Sequence, residues 1–558
     1  MFQRRFQGVR PAAIAGAVVL LALLVAWYAG GRDPDPAFDP DDLGAVLRPI
    51  VAAPVPSTGF VGSRVCGECH AAIAEQFRNH PMARSLEVVV SENVESGTVD
   101  HVRSQSDAIV RPPGIREYRV ETTHEGMVHH EQARDRDGRL IYDQSMLVDY
   151  AIGSGRRGRS YLIDRGGWLG VSPVSWFANG GQWDLSPGYD PEEHPRFDRQ
   201  AENRCLFCHS GRLNFTDRHS GNLQSPPFLE MAIGCERCHG PGDAHVQRHR
   251  DRIAGPETRA DPIVNPASLA PALRESVCNQ CHLQGDVEIL RLGRVYRDFR
   301  PGQHIGQVWT TYVSGSGVAA NQQTVAISHV QQMRESRCFQ NSGGRLGCTA
   351  CHDPHSVPTA ADRIEFFRQR CLSCHAERGC RLPRERRLSN ENSCIDCHMS
   401  KLDASDVPHT AQTDHRILVR PDQTRTSPRL SNKTGQLTVF DERAYRLSKI
   451  EALRARVLLM AKGVELNPQP ETAEVAEREL RRIVPAAPGD VRVLDALALM
   501  VAIQERGPEA VKLWIQALDL PGDDGHDEVL FSLATYFETQ RNWDQAAIYF
   551  QRLRERRP

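Results

Sequence analysis

CTACHDPHSVP, residues 348–358, contains the pattern around which this chain is organised: two cysteines three positions apart, with a histidine directly after the second. The same Cys-x-x-Cys-His pattern occurs seven times. It is found at Cys66/Cys69/His70, Cys205/Cys208/His209, Cys235/Cys238/His239 and Cys278/Cys281/His282, then at Cys348/Cys351/His352, Cys371/Cys374/His375 and Cys394/Cys397/His398. Two thiols at this spacing can form thioethers with the two vinyl groups of one haem, and the next residue is placed as the proximal iron ligand. Zinc sites and redox dithiols also use Cys-x-x-Cys, but neither needs a histidine after the second cysteine, and all seven pairs have one. The expected cofactor is haem c, seven copies, covalently attached.

Composition agrees with a chain that relies on cofactors to fill its interior. Of 558 residues only 6% are aromatic, lean for two or three domains, and porphyrin faces supply apolar surface that side chains otherwise provide. Only five of the 68 basic residues are lysines, none before Lys401. Arginine's planar fork suits haem propionates, although genome composition is the larger cause of such a bias. A net charge of −2 with no basic stripe interleaved with aromatics argues against a nucleic-acid partner. Fourteen of the 16 cysteines belong to the motifs. The other two, Cys338 and Cys380, are expected to pair as a disulfide, with two free thiols as the alternative.

Outward from the motifs, the N-terminus carries Arg4, Arg5 and Arg10 and then no charge from Pro11 to Gly31. Such a run spans about 31 Å as a helix, enough to cross a bilayer. Arginines before it and Asp33, Asp35 and Asp39 after it place the N-terminus inside. A retained anchor over 1–31 is favoured over a cleaved signal peptide, with the bulk of the chain on the outer face of a bacterial cytoplasmic membrane. Residues 32–60 read as a linker. The 134 residues between His70 and Cys205 lack cysteine, and over about 97–190 they alternate apolar and polar positions between glycine-rich turns. Residues 286–327 also look extended, in DVEILRL and QVWTTYV.

From about Asp441 the period becomes helical. Leu494, Leu497, Ala498, Val501, Ala510 and Trp514 recur 36 residues later as Leu530, Leu533, Ala534, Phe537, Ala546 and Phe550, as in tetratricopeptide repeats. The expected fold class is α+β: a mostly helical and loop multihaem cytochrome c domain over 61–425 with a small antiparallel β insert. An α-helical tetratricopeptide solenoid over 441–558 and one N-terminal transmembrane helix complete it.

The sixth ligand of each iron decides its chemistry. A second histidine gives a closed iron suited to electron transfer; an open position admits a small reactant. His80, His245, His329, His355, His409 and His415 are the distal candidates, because each lies beside a motif or on a turn that presents it to a neighbouring ring. Six candidates for seven irons leave one iron short.

GCERCHGPGDAH (234–245), LGCTACHDPHSVP (346–358), NSCIDCHMSK (392–401) and VPHTAQTDHR (407–416) resemble a known group. They are similar to exported multihaem cytochromes c of the superfamily that contains the ammonia oxidisers' tetrahaem cytochrome, hydroxylamine oxidoreductase and pentahaem nitrite reductase. The resemblance implies distal roles for His80, His245, His355 and His415, and haems stacked in close pairs. All seven motifs end in histidine, unlike the lysine-bearing catalytic motif of the nitrite reductases, and no motif for the tyrosine cross-link of hydroxylamine oxidoreductase is present. The expected function is electron transfer between respiratory protein partners, with the repeats binding a protein. Chemistry on a small nitrogen or sulfur compound at one five-coordinate haem is the alternative.

Overall fold

The computed structural model describes residues 59–89, 108–192, 194–215, 223–250, 261–315, 318, 323–376, 379–419, 437–441, 444–445, 447–521 and 525–556. Each attachment motif lies on or at the end of a helix: Ser63–Cys69, Asn203–His209, Glu236–His239, Pro271–His282, Cys348–Cys351, Arg363–His375 and Cys394–His398. Helical geometry explains the motif. Residues three and four apart share a face, so two thiols and a histidine at i, i+3 and i+4 converge on one side of a single turn.

Strand is more widespread than a small insert allows. The described fold is 43% helical and 20% strand, so the expected mostly helical haem domain with one small β insert is corrected to a mixed fold with several antiparallel sheets. The cysteine-free segment builds two of them. Ala108–Val110, Arg116–Thr123, Gly126–Arg134 and Leu140–Leu147 form a four-stranded meander. Tyr150–Ile152, Gly158–Asp164, Val174–Phe177 and Gln182–Leu185 continue from Leu86–Val88, with Leu169–Val171 on the side. Leu86–Val88 is the first strand after the first motif, and its pairing Leu86↔Ile152 ties the segment that follows that motif to this sheet. Further sheets join Arg212–Phe215 to Leu223–Glu230, Lys401–Asp403 to Ala411–Thr413, and Val287–Leu290 to Trp309–Val313 and Thr438–Val439. The last of these pairs the two extended runs read from 286–327, in the register Val287↔Tyr312.

Inside the insert, Tyr118, Val120, Met127, Ala151, Tyr161 and Val174 form an apolar core. His129 is fully buried in it, with Nδ1 2.6 Å from Ser172 Oγ and its ring edge-on to Tyr161 and Trp183. Desolvation pulls its pKa down to about 3. The unfolded chain therefore takes up a proton near pH 6.5 that the folded chain refuses. Stability is fully present above pH 6.5 and falls as the pH drops towards 3, by about 1 kcal/mol per pH unit. Unfolding followed by circular dichroism from pH 7 to 4 checks this, and His129→Gln is expected to flatten the slope.

Residues 449–556 form six helices in three antiparallel hairpins: Lys449–Leu466 with Pro470–Ile483, Val491–Ile503 with Gly507–Leu518, and His526–Thr539 with Trp543–Arg556. Small residues at the crossings, Ala473, Ala476, Ala498, Ala510 and Ala534, are fully buried, which lets the helices approach closely. The repeats do not stand apart from the part that carries the Cys-x-x-Cys-His motifs. Ile289 and Tyr312 of the 287–313 hairpin belong to the same apolar cluster as Leu453, Val457 and Leu494.

The membrane-anchored localisation is also corrected. Among the described residues no helix is long and apolar enough to cross a membrane. The expected span over 1–31 lies outside the described residues, as does the linker up to residue 58.

Candidate functional site

The attachment helices come together through their thiols. Cys66 lies against Cys235, Cys208 against Cys281, Cys278 against Cys348, and Cys371 against Cys394. Cys238 is close to Cys278, and Cys351 to Cys374. In the Cys66–Cys235 and Cys208–Cys281 contacts one thiol donates to the other, so one ionises readily and its partner resists, whereas burial raises both Cys371 and Cys394. The Cys66 contact draws Cys235 down to about 6, and the Cys208 contact does the same for Cys281. These contacts string the motifs in the spatial order first, third, fourth, fifth, sixth, seventh, with the second attached beside the fourth.

Four motif histidines each have a second imidazole at nearly one distance. Ring centroids are 6.3 Å apart for His70 and His245, 6.0 Å for His239 and His355, 5.8 Å for His282 and His329, and 6.4 Å for His352 and His415. Two imidazoles that hold one metal from opposite sides, each nitrogen about 2 Å from it, have ring centres roughly 6 Å apart. The three near-parallel pairs, at 20°, 11° and 26°, are too far apart for face-to-face contact between the rings. Each pair unites a motif histidine with one from beside another motif: His245 follows the third motif, His355 the fifth and His415 the seventh, while His329 precedes the fifth.

Hydrogen bonds leave Nε2 as the available ligand atom on several of these rings. Nδ1 of His239 lies 2.8 Å from Val264 O, that of His415 2.7 Å from Thr413 O, and that of His398 2.6 Å from Leu418 O. A carbonyl can only accept, so Nδ1 carries the proton and Nε2 the lone pair in the neutral ring. Desolvation keeps the rings neutral, which is the ligating form: His282 and His415 are drawn down to about 4, and His329 and His239 are lowered as well.

The residues present therefore fit seven haems on the chemistry of their donors. The helices Ser63–Cys69, Cys348–Cys351 and Arg363–His375 have no buried side chain, so each leaves a face for another group to cover. The chain matches no family model, no curated protein and no solved structure in comparisons with each.

The other predicted residues are placed differently. Among the described residues no second imidazole lies in ring contact with His209, His375 or His398. His209 is enclosed, its pKa lowered by burial, and its Nδ1 has no hydrogen-bond partner. His80 stacks on Phe77 at 5.6 Å, and its Nδ1 accepts from the Met82 backbone N–H. That bond leaves the proton on Nε2, the wrong tautomer for an Nε2 ligand. His409 sits with Nε2 2.6 Å from Asp184 Oδ2 and edge-on to Phe177. Cys397, expected as the second attachment thiol of the seventh motif, has its Sγ engaged differently from the thiols above: it accepts from Asn390 Nδ2 at 3.2 Å. Asn390 reaches it from the turn that precedes the motif. Cys338 and Cys380 are free thiols, correcting the expected disulfide: Cys338 lies near Cys374 and Cys351 instead, and Cys380 is exposed.

Two supporting residues carry no sequence signal. Asp261 Oδ1 lies 2.8 Å from His245 Nδ1 and its Oδ2 3.1 Å from His249 Nε2, so one carboxylate orients the imidazole that faces His70. Arg157, in the IGSGRRGR turn of the insert, lies close enough to His282, His329 and His415 to lower all three. Its guanidinium, itself desolvated, has the planar fork that suits a carboxylate. Only the folded insert brings it there.

Proposed function

We propose that this chain is a seven-haem c-type cytochrome that carries electrons between redox proteins. The observation that supports this best is the set of four motif histidines, each with a second imidazole 5.8–6.4 Å away. Bound haem supplies a one-electron change at each iron. The chain does the rest. Its paired cysteines hold each ring covalently; carbonyls at Val264, Thr413 and Leu418 fix the imidazole tautomers. At four sites His245, His329, His355 and His415 would serve as second ligands and keep small reactants away, and the contacts between thiols of successive motifs keep neighbouring sites close. The helical repeats are proposed to hold a protein partner, as concave helical arrays do.

A second role has a specific observation in its favour. Of the three motif histidines with no facing imidazole among the described residues, His375 is exposed and His398 is held by Leu418 O, so the enclosed His209 marks the second site as the place for an iron open to a small nitrogen or sulfur compound. Purified holoprotein separates the two. Electron transfer alone predicts seven haems per chain by pyridine haemochrome assay, low-spin signals in electron paramagnetic resonance, and no change on adding carbon monoxide. A high-spin, carbon monoxide-reactive iron that disappears with Cys205→Ser/Cys208→Ser favours the enzyme. A chain without covalent haem rules out both.

A further inference from the structure

The sixth motif differs from the others in its surroundings. Cys374 and His375 are exposed, and almost every described residue from 379 to 391 is exposed with them. The flanking stretches RIEFFRQR (363–370) and RLPRERR (381–387) hold seven arginines against Glu365 and Glu385. Some of that charge is already paired: Arg368 lies 2.8 Å from Glu365, and Arg363 3.6 Å from Asp396. Arg370 lies over the Phe366 ring. Arg381, Arg384 and Arg386 are exposed, and no carboxylate among the described residues forms an ion pair with them. Beside them in the chain stand Leu382, 45% exposed, and Leu388, 55% exposed.

Exposed cations around a few exposed leucines are a poor arrangement for stability and a good one for a brief encounter. Electron-transfer complexes bury little area and turn over quickly, so long-range charge, rather than a large apolar core, selects the partner. A field of one sign raises the on-rate for a partner of the opposite sign by about ten- to a thousand-fold at low salt.

We propose that Arg370, Arg381, Arg384 and Arg386, with Leu382 and Leu388, form the docking surface for an acidic electron-transfer protein that exchanges electrons at the sixth attachment site, Cys371–His375. The surface rests on the cytochrome function proposed above. The exchange is a single electron: the reduced carrier is oxidised by one and the iron ligated by His375 is reduced by one, with no bond made or broken. Because the sixth motif adjoins the fifth and the seventh through their thiols, charge entering there reaches the rest of the row.

The test uses full-length holoprotein in stopped-flow, with reduced flavodoxin as the acidic probe and cationic cytochrome c as the control. Arg381→Glu, Arg384→Glu and Arg386→Glu together are expected to slow the flavodoxin reaction at least tenfold at low salt. The difference should vanish near 1 M salt, where the screening length is about 3 Å, and the control reaction should not slow. The milder Arg→Gln triple variant, which removes charge without reversing it, is expected to give a smaller loss in the same direction. An unchanged rate overturns the proposal. So does a salt-independent loss accompanied by a shifted haem potential, which assigns the arginines to the haem itself. Lost binding to vesicles of anionic phospholipid with an unchanged flavodoxin rate overturns it in favour of a membrane surface. A chain with no covalent haem fails the cytochrome function; a chain with seven haems whose flavodoxin rate ignores these substitutions fails only the docking surface.

Discussion

Replacing His355 by alanine is expected to leave all seven haems attached but to turn one low-spin iron into a high-spin, carbon monoxide-reactive one. His355 is the imidazole facing His239 at 6.0 Å and 11°, and it stands on a turn built to hold it there. In HDPH, the Asp353 carboxylate accepts from the His355 backbone N–H at 2.9 Å and from Ser356 Oγ at 2.9 Å. The third attachment site keeps both its cysteines and His239, whose Nδ1 donates to Val264 O, so haem content is not expected to change. The loss is confined to the sixth ligand. Electron paramagnetic resonance and a carbon monoxide difference spectrum of the variant against the parent chain give the readout. His409→Ala, at a histidine held by Asp184, is the control and should alter neither. A spectrum unchanged by His355→Ala would falsify the pairing.

Asp490→Ala is expected to cost the helical repeats about 3–5 kcal/mol, the usual result of stripping one partner from a buried ion pair. Arg454 is 1% exposed and Asp490 2%. The guanidinium donates from Nε and Nη2 to the two carboxylate oxygens, and from Nη1 to Leu290 O at 2.7 Å. The same carboxylate caps the helix Val491–Ile503 by accepting from Val493 N–H, worth about 1 kcal/mol more. Alanine thus leaves a buried cation without its counter-charge and a helix without its cap. Because Leu290 belongs to the 287–313 hairpin, which packs on the repeats, unfolding should spread across that junction. Asp490→Asn keeps the cap and should recover part of the loss, and a double change to Arg454→Met and Asp490→Ser should recover more. Denaturant unfolding measures all three. A loss below about 1 kcal/mol for Asp490→Ala contradicts a buried, uncompensated charge.

Much of the candidate site is legible in local sequence because the motif is a local object. Cysteines at i and i+3 with histidine at i+4 fall on one helical face whatever the rest of the chain does. The repeats are legible for a similar reason: the recurrence of Leu494, Ala498 and Trp514 as Leu530, Ala534 and Phe550 is a period in the chain itself. Other features depend on contacts between distant residues. The strand Thr438–Val439 is two residues long and exists only because Tyr312 pairs with Val439 across 127 positions, so no hydrophobic period announces it. Strands hidden in this way between the motifs are why a mostly helical domain was expected and a mixed fold is observed.

The residues alone determined that seven Cys-x-x-Cys-His motifs exist and that six further histidines stand near them in the chain. Tertiary structure alone decided which imidazole faces which. It put His245, His355, His329 and His415 opposite His70, His239, His282 and His352, and it held His409 to Asp184 and His80 to the Met82 N–H. It also decided that the second site lies beside the row rather than in it. The physical reason is one of range. Attachment needs only the reach of one helical turn, whereas a distal ligand must cross to the opposite face of the ring, where only another segment of the folded chain can stand.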